Sequence, residues 1–279
     1  MITIIKPEEF HGTGRPGDTL CVVTHDGLFH SDDVFSVALL KLFHKKIDIV
    51  RTRDSKILQK AIEDPKTYVL DAGGVYDPQK LNFDHHGDAQ ENKATISLLF
   101  DHLFPERKSE RIMNIVYERL IRGINDWDLG IADRSAYPLY LPQLITAFNR
   151  SGSPEQDMQF LKAVDFAYTI LSNEMNTAKN IAGSRDIWAK RELINEHTAL
   201  LKEHCTFWRT ITTNEKQIKY ILQPDNENWQ IVSIDSKNNP LPQADGDEAD
   251  DVVFRHKNGF IIIFKTFISA FSYINKYLN

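Results

Sequence analysis

Short apolar runs alternate with helix-spaced segments in the first third of the chain. Residues 20–23, 47–50 and 68–70 form runs with the length and composition of buried strands. Apolar positions at helical spacing predict helices over residues 33–43 and 57–62, which lie between these runs. Because strands alternate with helices, the pattern predicts a parallel sheet with right-handed crossover connections.

Helical spacing dominates the middle of the chain. It predicts helices over residues 94–103, 109–121 and 154–201. The apolar spacing breaks at residues 123–142, so we expect the second and third of these helices to be separated by an irregular segment.

Beyond residue 205 the pattern changes to short β-rich runs followed by a terminal helix. The predicted strands are residues 218–222, 229–234, 252–254 and 260–264. The whole chain is therefore predicted to be an α/β protein with three parts: a parallel-sheet N-terminal domain over 18–150, a helical connector over 151–204, and a smaller C-terminal α/β or α+β domain over 205–279.

Composition agrees with a globular protein of this kind. The chain has 279 residues, of which 42% are hydrophobic and 26% are charged, enough for two domains with real cores. No apolar stretch reaches about 18 residues and the N-terminus lacks a signal-type apolar core, so we expect a cytoplasmic protein with no membrane partner. The net charge of −6 argues against a broad nonspecific grip on nucleic acid.

The loop after the first predicted strand combines histidine with aspartate. His25, His30 and Asp32 flank a glycine-containing turn, so a tight loop can aim all three at one point. Asp33 is expected to support the start of the following helix. Asp71 follows another predicted strand, where it is either a ligand at the carboxyl edge of the sheet or a turn-forming residue beside two glycines. Imidazole mixed with carboxylate is the ligand set of a divalent metal centre.

A second stretch, Asp84-His85-His86, places two imidazoles side by side. Adjacent imidazoles point in different directions, so one can ligate a metal while its neighbour meets the substrate. Asp84 can then orient an imidazole without binding metal itself. The sequence therefore predicts a metalloenzyme.

Aromatic side chains follow this stretch in the chain. They can stack on the bases of a single strand, although packing in the core is the commoner role of such residues. They are Trp127, Tyr137, Tyr140 and Phe148.

Four motifs define a family resemblance. They are T-H-D-G-L-F-H-S-D-D at residues 24–33, R-T-R-D at 51–54, L-D-A-G-G-V-Y-D-P at 70–78 and F-D-H-H at 83–86. With these motifs in this order and spacing, the chain resembles the melanocyte-proliferating-gene (Myg) family of DHH-like exonucleases, within the DHH phosphoesterase superfamily. The resemblance implies a DHH-type N-terminal domain and 3′ to 5′ exonuclease activity on RNA. The superfamily hydrolyses phosphoesters or phosphoanhydrides with two manganese ions.

The resemblance also implies roles for individual residues. It implies metal ligands, with Asp71 as the bridge between two ions, at His25, His30, Asp32, Asp71 and His85. His86 would face the substrate phosphate. A last acidic ligand comes from a family motif, D-A-V-D-N-G, that lines up with residues 125–130, where the register of Gly130 favours Asp128 and leaves Asp126 open.

Three functional hypotheses follow. The first is a metal-dependent phosphodiesterase that trims RNA or short oligonucleotides, in which two cations activate a hydroxide and neutralise the phosphate. Imidazole among the ligands favours manganese over magnesium and leaves zinc and iron open. The second is a hydrolase of a small phosphate compound, such as pyrophosphate or a dinucleotide. The third is a noncatalytic, metal-stabilised binding protein.

Overall fold

The chain forms two compact units, Met1–Ala178 and Lys179–Asn279, in a computed structural model. The structure describes residues 1–12, 19–87, 92–133 and 140–278, with the side chains of residues 247 and 248 left aside. The division between the units falls inside one long helix, Gln156–Ala189. The predicted domain boundaries at 18–150, 151–204 and 205–279 stay predictions, and residue 18 lies outside the described residues.

The first unit contains a six-stranded sheet in the order β1-β3-β2-β4-β6-β5. Its strands are β1 (Ile2–Ile4), β2 (Thr19–Thr24), β3 (Lys46–Arg51), β4 (Thr67–Leu70), β5 (Tyr76–Asp77) and β6 (Asn82–Phe83). All neighbours are parallel except β5 and β6. The predicted parallel sheet is therefore confirmed, and the three apolar runs form β2, β3 and β4.

Helices connect and follow these strands. Those of the first unit are α1 (Ser31–Lys41), α2 (Ser55–Glu63), α3 (Thr95–Leu103), α4 (Arg111–Val116), α5 (Arg122–Asp128), α6 (Leu141–Thr146) and α7 (Gln156–Ala189), the last of which continues into the second unit. Every residue of α1 except Lys41 is buried. This explains why its apolar residues lie on all sides of the helix rather than on one face.

The predicted break at residues 123–142 was wrong in its first part. A π-helical turn, Tyr117–Ile121, joins α4 to α5, and the helix continues to Asp128. Buried Ile121 and Ile124 keep the helical spacing across Gly123, and Gly130, with a φ of 71°, follows the end of the helix. This continuation places Asp128 on the last turn of a helix rather than in a loop.

The second unit has its own six-stranded sheet, in the order β11-β12-β10-β9-β8-β7. Its strands are β7 (Glu192–Asn195), β8 (Thr198–Leu200), β9 (Tyr220–Asp225), β10 (Asn228–Ser233), β11 (Val252–Arg255) and β12 (Ile261–Phe264). All neighbouring pairs are antiparallel except β8 and β9. Three helices complete the unit: α8 (Trp208–Ile211), α9 (Asp247–Asp250) and α10 (Phe267–Tyr277). Tyr273 of α10 is fully buried in the core beside Phe264 of β12.

The predicted helix over residues 154–201 was wrong at its C-terminal end. The helix ends at Ala189, and β7 and β8 follow as a hairpin. Ala199 of β8 pairs with Ile221 of β9, and both are fully buried, so the strand is stabilised by a neighbour more than 20 residues away. Local spacing carries no signal for such a partner. Across the described residues, every helix is too short or too polar to cross a membrane.

Candidate metal centre

Each of three neighbouring strands in the first sheet is followed directly by one of the candidate site residues predicted from sequence. β2 ends at Thr24 and is followed by His25, β4 ends at Leu70 and is followed by Asp71, and β6 ends at Phe83 and is followed by Asp84. Because β2, β4 and β6 are adjacent and parallel, their carboxyl ends meet at one edge of the sheet. Residues separated by about 60 positions in sequence are thereby brought together.

The loop from β2 to α1 aims His25 at two carboxylates. The ring is buried, and its Nε2 lies 3.4 Å from Asp71 Oδ2 and 3.5 Å from Asp33 Oδ2. Nδ1 lies 2.9 Å from the carbonyl oxygen of Asp26, a contact that turns Nε2 towards the acids. Burial alone would lower the pKa of His25, but its contact with Asp71 and the charge of Asp33 outweigh burial and raise the pKa to about 9.

Asp33 has a second role beyond the expected support of the helix start. Its Oδ1 accepts a hydrogen bond from the backbone N–H of His30 at 2.9 Å, as an acid in the first turn should. Its other oxygen is buried, faces His25 and has no hydrogen-bond partner among the described residues. Burial raises the pKa of Asp33 to about 7, although the charge of His25 opposes the rise. The sequence reasoning missed this second contact, because spacing alone assigns Asp33 only to the helix terminus.

Asp32 connects the loop to α3. Its two oxygens accept hydrogen bonds from the backbone N–H groups of Thr95 and Ile96 at 2.9 Å and 2.8 Å. These are the first residues of α3, so the fully buried carboxylate meets the positive end of a helix. Burial raises the pKa of Asp32 well above its usual value, and the charge of Asp71 raises it further.

Asp71 lies at the centre of the cluster. Its φ of 52° is left-handed, which aspartate tolerates better than most residues, and its N–H donates to the carbonyl of Phe83 at 2.9 Å. Oδ1 lies 3.6 Å from Nδ1 of His85 and 3.4 Å from Nδ1 of His86. Burial alone would raise the pKa of Asp71, but the contact with His25 and the surrounding imidazoles lower it.

The two adjacent histidines differ in exposure. The His85 side chain is 12% exposed and its Nε2 lies 3.2 Å from Asp128 Oδ2, whereas the His86 side chain is 64% exposed. Asp84 holds His86: its Oδ1 lies 2.7 Å from Nδ1 of that ring and also accepts from the backbone N–H of His86 at 2.9 Å. The second oxygen of Asp84 accepts from the N–H of Gly74 at 2.6 Å. The pair therefore has one enclosed imidazole and one that faces outward.

Asp128 and Asp126 occupy different surroundings on α5. Asp128 reaches His85, and burial together with the charge of Asp71 raises its pKa. Asp126 Oδ1 instead accepts from the side-chain amide of Asn125 at 3.1 Å, and the carbonyl of Asp126 accepts from Ile131 and Ala132. Of the two acids, the described structure brings only Asp128 into a group of potential ligands.

Three overlapping groups of side chains have donor atoms close enough to hold a metal ion. Within each group the donor atoms lie within 4.8 Å of one another. The groups are His25, His30 and Asp71; Asp71, Asp84, His85 and His86; and Asp32, His85 and Asp128. Asp71 belongs to two groups and His85 also belongs to two, so the predicted site residues other than Asp126 form one connected cluster.

A set of polar side chains from distant parts of the chain fixes the histidine-bearing loop. The carbonyl of Gly27 accepts from Arg51 Nη2 and from Gln156 Nε2, each at 2.8 Å. Asn149 Oδ1 accepts from the N–H of Phe29 at 3.0 Å, and Asn149 Nδ2 donates to the carbonyl of Phe29 at 2.9 Å. We call Arg51, Asn149 and Gln156 the loop clamp. Sequence reasoning missed its function, because an isolated Asn or Gln carries no signal for a partner more than 100 positions away.

Arg51 is held in place on several sides. Its side chain is 1% exposed and its Nη1 donates to Asp157 Oδ1 at 2.8 Å. The guanidinium also lies over the ring of Phe160, at 4.6 Å from its centroid. Arg51 is therefore a buried part of the loop clamp.

Three of the four aromatic residues singled out from sequence, Trp127, Tyr140 and Phe148, are among the described residues. The rings of Trp127 and Tyr140 are 5.1 Å apart, and Phe148 packs on Phe166 at 5.8 Å. Tyr137 lies outside the described residues. Trp127 and Asp128 also line one small cavity.

Fold and site together define the class of the protein: an α/β protein with a cluster of histidine and aspartate side chains, close enough to hold metal ions, at the carboxyl edge of a parallel sheet. The family follows from a model named MYG1_exonuc, described as "Uncharacterised protein family (UPF0160)", which matches residues 21–101 and 92–278. The chain belongs to this family, and the resemblance predicted from its motifs is confirmed.

Individual relatives agree with this membership. MYG1 protein C694.04c of Schizosaccharomyces pombe is 27% identical over 323 residues, which cover 92% of this chain and 97% of the relative. The MYG1 protein of Chlamydia muridarum is 29% identical over 226 residues, which cover 76% of this chain and 75% of the relative. A protein named MYG1 exonuclease from Bos taurus is 43% identical over 65 residues, covering 23% of this chain and 16% of the relative.

Two solved structures show a weaker likeness. A pGpG-specific phosphodiesterase, PggH from Vibrio, is 14% identical with a TM-score of 0.28 over 81% of this chain and 86% of that one. RecJ of Thermus thermophilus, in complex with Mn²⁺, is 11% identical with a TM-score of 0.27 over 92% and 51%. These scores are too low to bear on fold or function.

Proposed function

We propose that this chain is a metal-dependent phosphodiesterase that trims RNA or short oligonucleotides from the 3′ end with two manganese ions. The observation that carries the proposal is the position of Asp71, whose carboxylate belongs to two groups of potential ligands at once. A carboxylate with two oxygens can serve two cations, which is the arrangement of two-metal phosphoester hydrolysis. The exonuclease name of relatives in the same family supports the reaction class.

The residues present fit divalent cations. Asp71 Oδ1 is buried without a hydrogen-bond partner among the described residues, although buried carboxylate oxygens are normally paired. Burial and neighbouring carboxylates also raise the pKa values of Asp32 and Asp128. Bound cations would remove the cost of the unpaired oxygen, because they pair with it. They would also offset the mutual repulsion of the buried carboxylates.

In the proposed site, Asp71 would be a ligand to both ions and the other residues would each hold one. His25 and His30 would hold one ion with Asp71. The other ion would be held by His85, which belongs to one group with Asp71 and to another with Asp32 and Asp128. This set of imidazole and carboxylate favours manganese over magnesium and leaves zinc and iron open.

The chain's own residues would complete the chemistry. When bound, two cations supply an activated water and neutralise charge on the attacking and leaving oxygens. His86 is outward-facing and held by Asp84 through Nδ1, and in this proposal its Nε2 would contact a substrate phosphate. Asp84 acts through that ring and through the N–H of Gly74, and it does not need to touch substrate.

The decisive experiment uses short RNAs labelled at the 3′ or the 5′ end, run beside pyrophosphate and a dinucleotide. Each substrate is tested with manganese and with chelator, using the wild type, Asp71→Ala and, as a matched control, the exposed Asp235→Ala in the second unit. Stepwise 3′ trimming that needs manganese and Asp71 supports the proposal. Activity on pyrophosphate or the dinucleotide alone supports a small-phosphate hydrolase instead, and no activity supports a noncatalytic binding protein.

Salt dependence separates the substrate classes further. An oligonucleotide bound by several Lys and Arg side chains loses affinity steeply as salt rises, whereas a small phosphate compound loses much less. A cytoplasmic location stays a prediction from the sequence.

A further inference from the structure

A small cavity adjoins the donor cluster in the first unit. It has a volume of about 200 Å³ and is lined by His30, Ser31, Trp127, Asp128 and Thr146. His30 and Asp128 also belong to the groups of potential metal ligands, so the cavity is continuous with the proposed catalytic site. Because ligand pockets for whole drug-sized molecules are larger, at about 300 Å³ and above, this one suits a single part of a substrate.

Ser31 supplies an independent sign of a ligand. The residue is 1% exposed, it lines the cavity, and its hydroxyl has no hydrogen-bond partner among the described residues. A buried hydroxyl is normally paired, because leaving it unpaired costs free energy. A polar atom of a ligand in the cavity would pair it. A hydroxyl can also rotate to act as donor or acceptor, so it does not restrict the partner to one type.

Trp127 is the aromatic residue among those that line the cavity. It precedes Asp128 on α5, and its ring lies 5.1 Å from the ring of Tyr140. An aromatic side chain therefore lies beside the proposed ligand Asp128.

We infer that this cavity binds the base of the terminal nucleotide, with Trp127 stacking on the base and the Ser31 hydroxyl bonded to a polar atom at its edge. The inference rests on the proposed function, since the donor cluster would hold the phosphate next to the cavity. Stacking is tolerant of sequence because every base has an aromatic face. The rotatable hydroxyl also accepts any of the bases, because it can donate or accept a hydrogen bond. The site would therefore distinguish substrates that carry a base from those that lack one, and would not distinguish one base from another.

Binding of products tests the inference without any turnover. AMP and ribose 5-phosphate differ only in the base, and each is titrated by calorimetry into the manganese-loaded wild type, Trp127→Ala, Trp127→Phe and Ser31→Ala. We expect the wild type to bind AMP about 5- to 100-fold more tightly than ribose 5-phosphate, and Trp127→Ala to abolish the difference. Trp127→Phe, which keeps a ring, should retain most of the preference. Ser31→Ala should weaken AMP about 2- to 10-fold and leave ribose 5-phosphate unchanged.

Two results would overturn the inference. Equal binding of AMP and ribose 5-phosphate by the wild type would show that the cavity does not bind a base. If Trp127→Ala lost the same affinity for AMP and for ribose 5-phosphate and also bound manganese more weakly, Trp127 would only support the fold.

Hydrolysis then separates this inference from the proposed function. A dinucleotide and its analogue lacking the terminal base share the same phosphodiester, and Trp127→Ala should raise KM for the first alone. If the wild type hydrolyses neither compound but binds AMP with the expected preference, the proposed reaction fails and the base site stands. If it hydrolyses both with the same KM, the reaction stands and the base site fails.

Discussion

Asn149 makes both backbone hydrogen bonds of Phe29, although 120 positions separate the two residues. One side-chain amide thus holds the backbone next to His30, in the loop that also carries His25, much as a neighbouring strand would. Gln156 strengthens the contact by donating to Asn149 Oδ1 at 2.6 Å. The loop that bears two potential ligands is therefore fixed from outside.

The first prediction concerns this contact. Asn149→Ala should lower the free energy of unfolding by about 1–3 kcal/mol, because two backbone groups of Phe29 lose their partners. It should also weaken manganese binding, because the loop loses its fixed geometry. Urea denaturation and metal titration measure the two effects. Asn238→Ala, which removes an exposed asparagine in the second unit, is the matched control. Unchanged metal affinity in Asn149→Ala would show that the loop holds its shape without the clamp.

The second prediction concerns Asp71. Asp71→Asn keeps a residue that tolerates the left-handed backbone, so the metal-free variant should still fold. Manganese binding and phosphodiester hydrolysis should both fall, hydrolysis by more than about 100-fold, because an amide bridges two cations poorly. Elemental analysis of the purified variant and a hydrolysis assay measure these effects, with Asp235→Asn as control. Retention of two ions per chain in Asp71→Asn would show that Asp71 does not bridge the ions.

The third prediction separates the two adjacent histidines. His85→Ala should lower metal occupancy and activity together, because the enclosed ring lies among Asp32, Asp71 and Asp128. His86→Ala should lower turnover by about 10²- to 10⁴-fold with metal retained, since that ring is 64% exposed and held by Asp84. Metal content and kcat are measured on the same preparations. Equal metal loss in the two variants would contradict this division of roles.

The fourth prediction concerns protons released on metal binding. In the metal-free protein the pKa of His25 is raised to about 9, so its imidazole is protonated at pH 7.5 and must lose that proton to bind a cation. Apparent manganese affinity should therefore rise with pH towards 9. Calorimetric titration at pH 7.5 in buffers of different ionisation enthalpy counts the released protons.

The expected count in that titration is about one proton from His25 for each chain loaded. The same titration at pH 10, above the pKa of His25, is the control and should release less. Absence of proton release at pH 7.5 would show that His25 is neutral before the metal binds, or that it does not bind metal.

Much of the first sheet follows from local sequence, because a buried strand needs only a short apolar run. β2, β3 and β4 were predicted within one or two residues, and their order brought His25 and Asp71 together at one edge. β6 has two residues, too few to leave a pattern, yet it positions Asp84. Its place was predictable only through the family motif that contains it.

The remaining parts depended on contacts between distant residues. Asn149 and Gln156 have no spacing or composition that distinguishes them from surface residues, and their partners lie in a loop far away in sequence. β8 was assigned to a helix because its pairing with β9 leaves no local trace. The contact of Asp33 with His25 was missed for a related reason, since one side chain can both cap a helix and face a second group.

The backbone at Asp71 restricts which residues can ever replace it. Its left-handed φ of 52° favours glycine, asparagine or aspartate, while its place between two groups of donors requires a short side chain with a negative charge. Glutamate retains the charge but neither the length nor the backbone preference, and asparagine retains the backbone preference but not the charge. The backbone requirement admits three residues, and the need for a short, negatively charged side chain leaves aspartate alone. No other residue at position 71 therefore meets both requirements, so any substitution of this aspartate would cost the proposed metal centre.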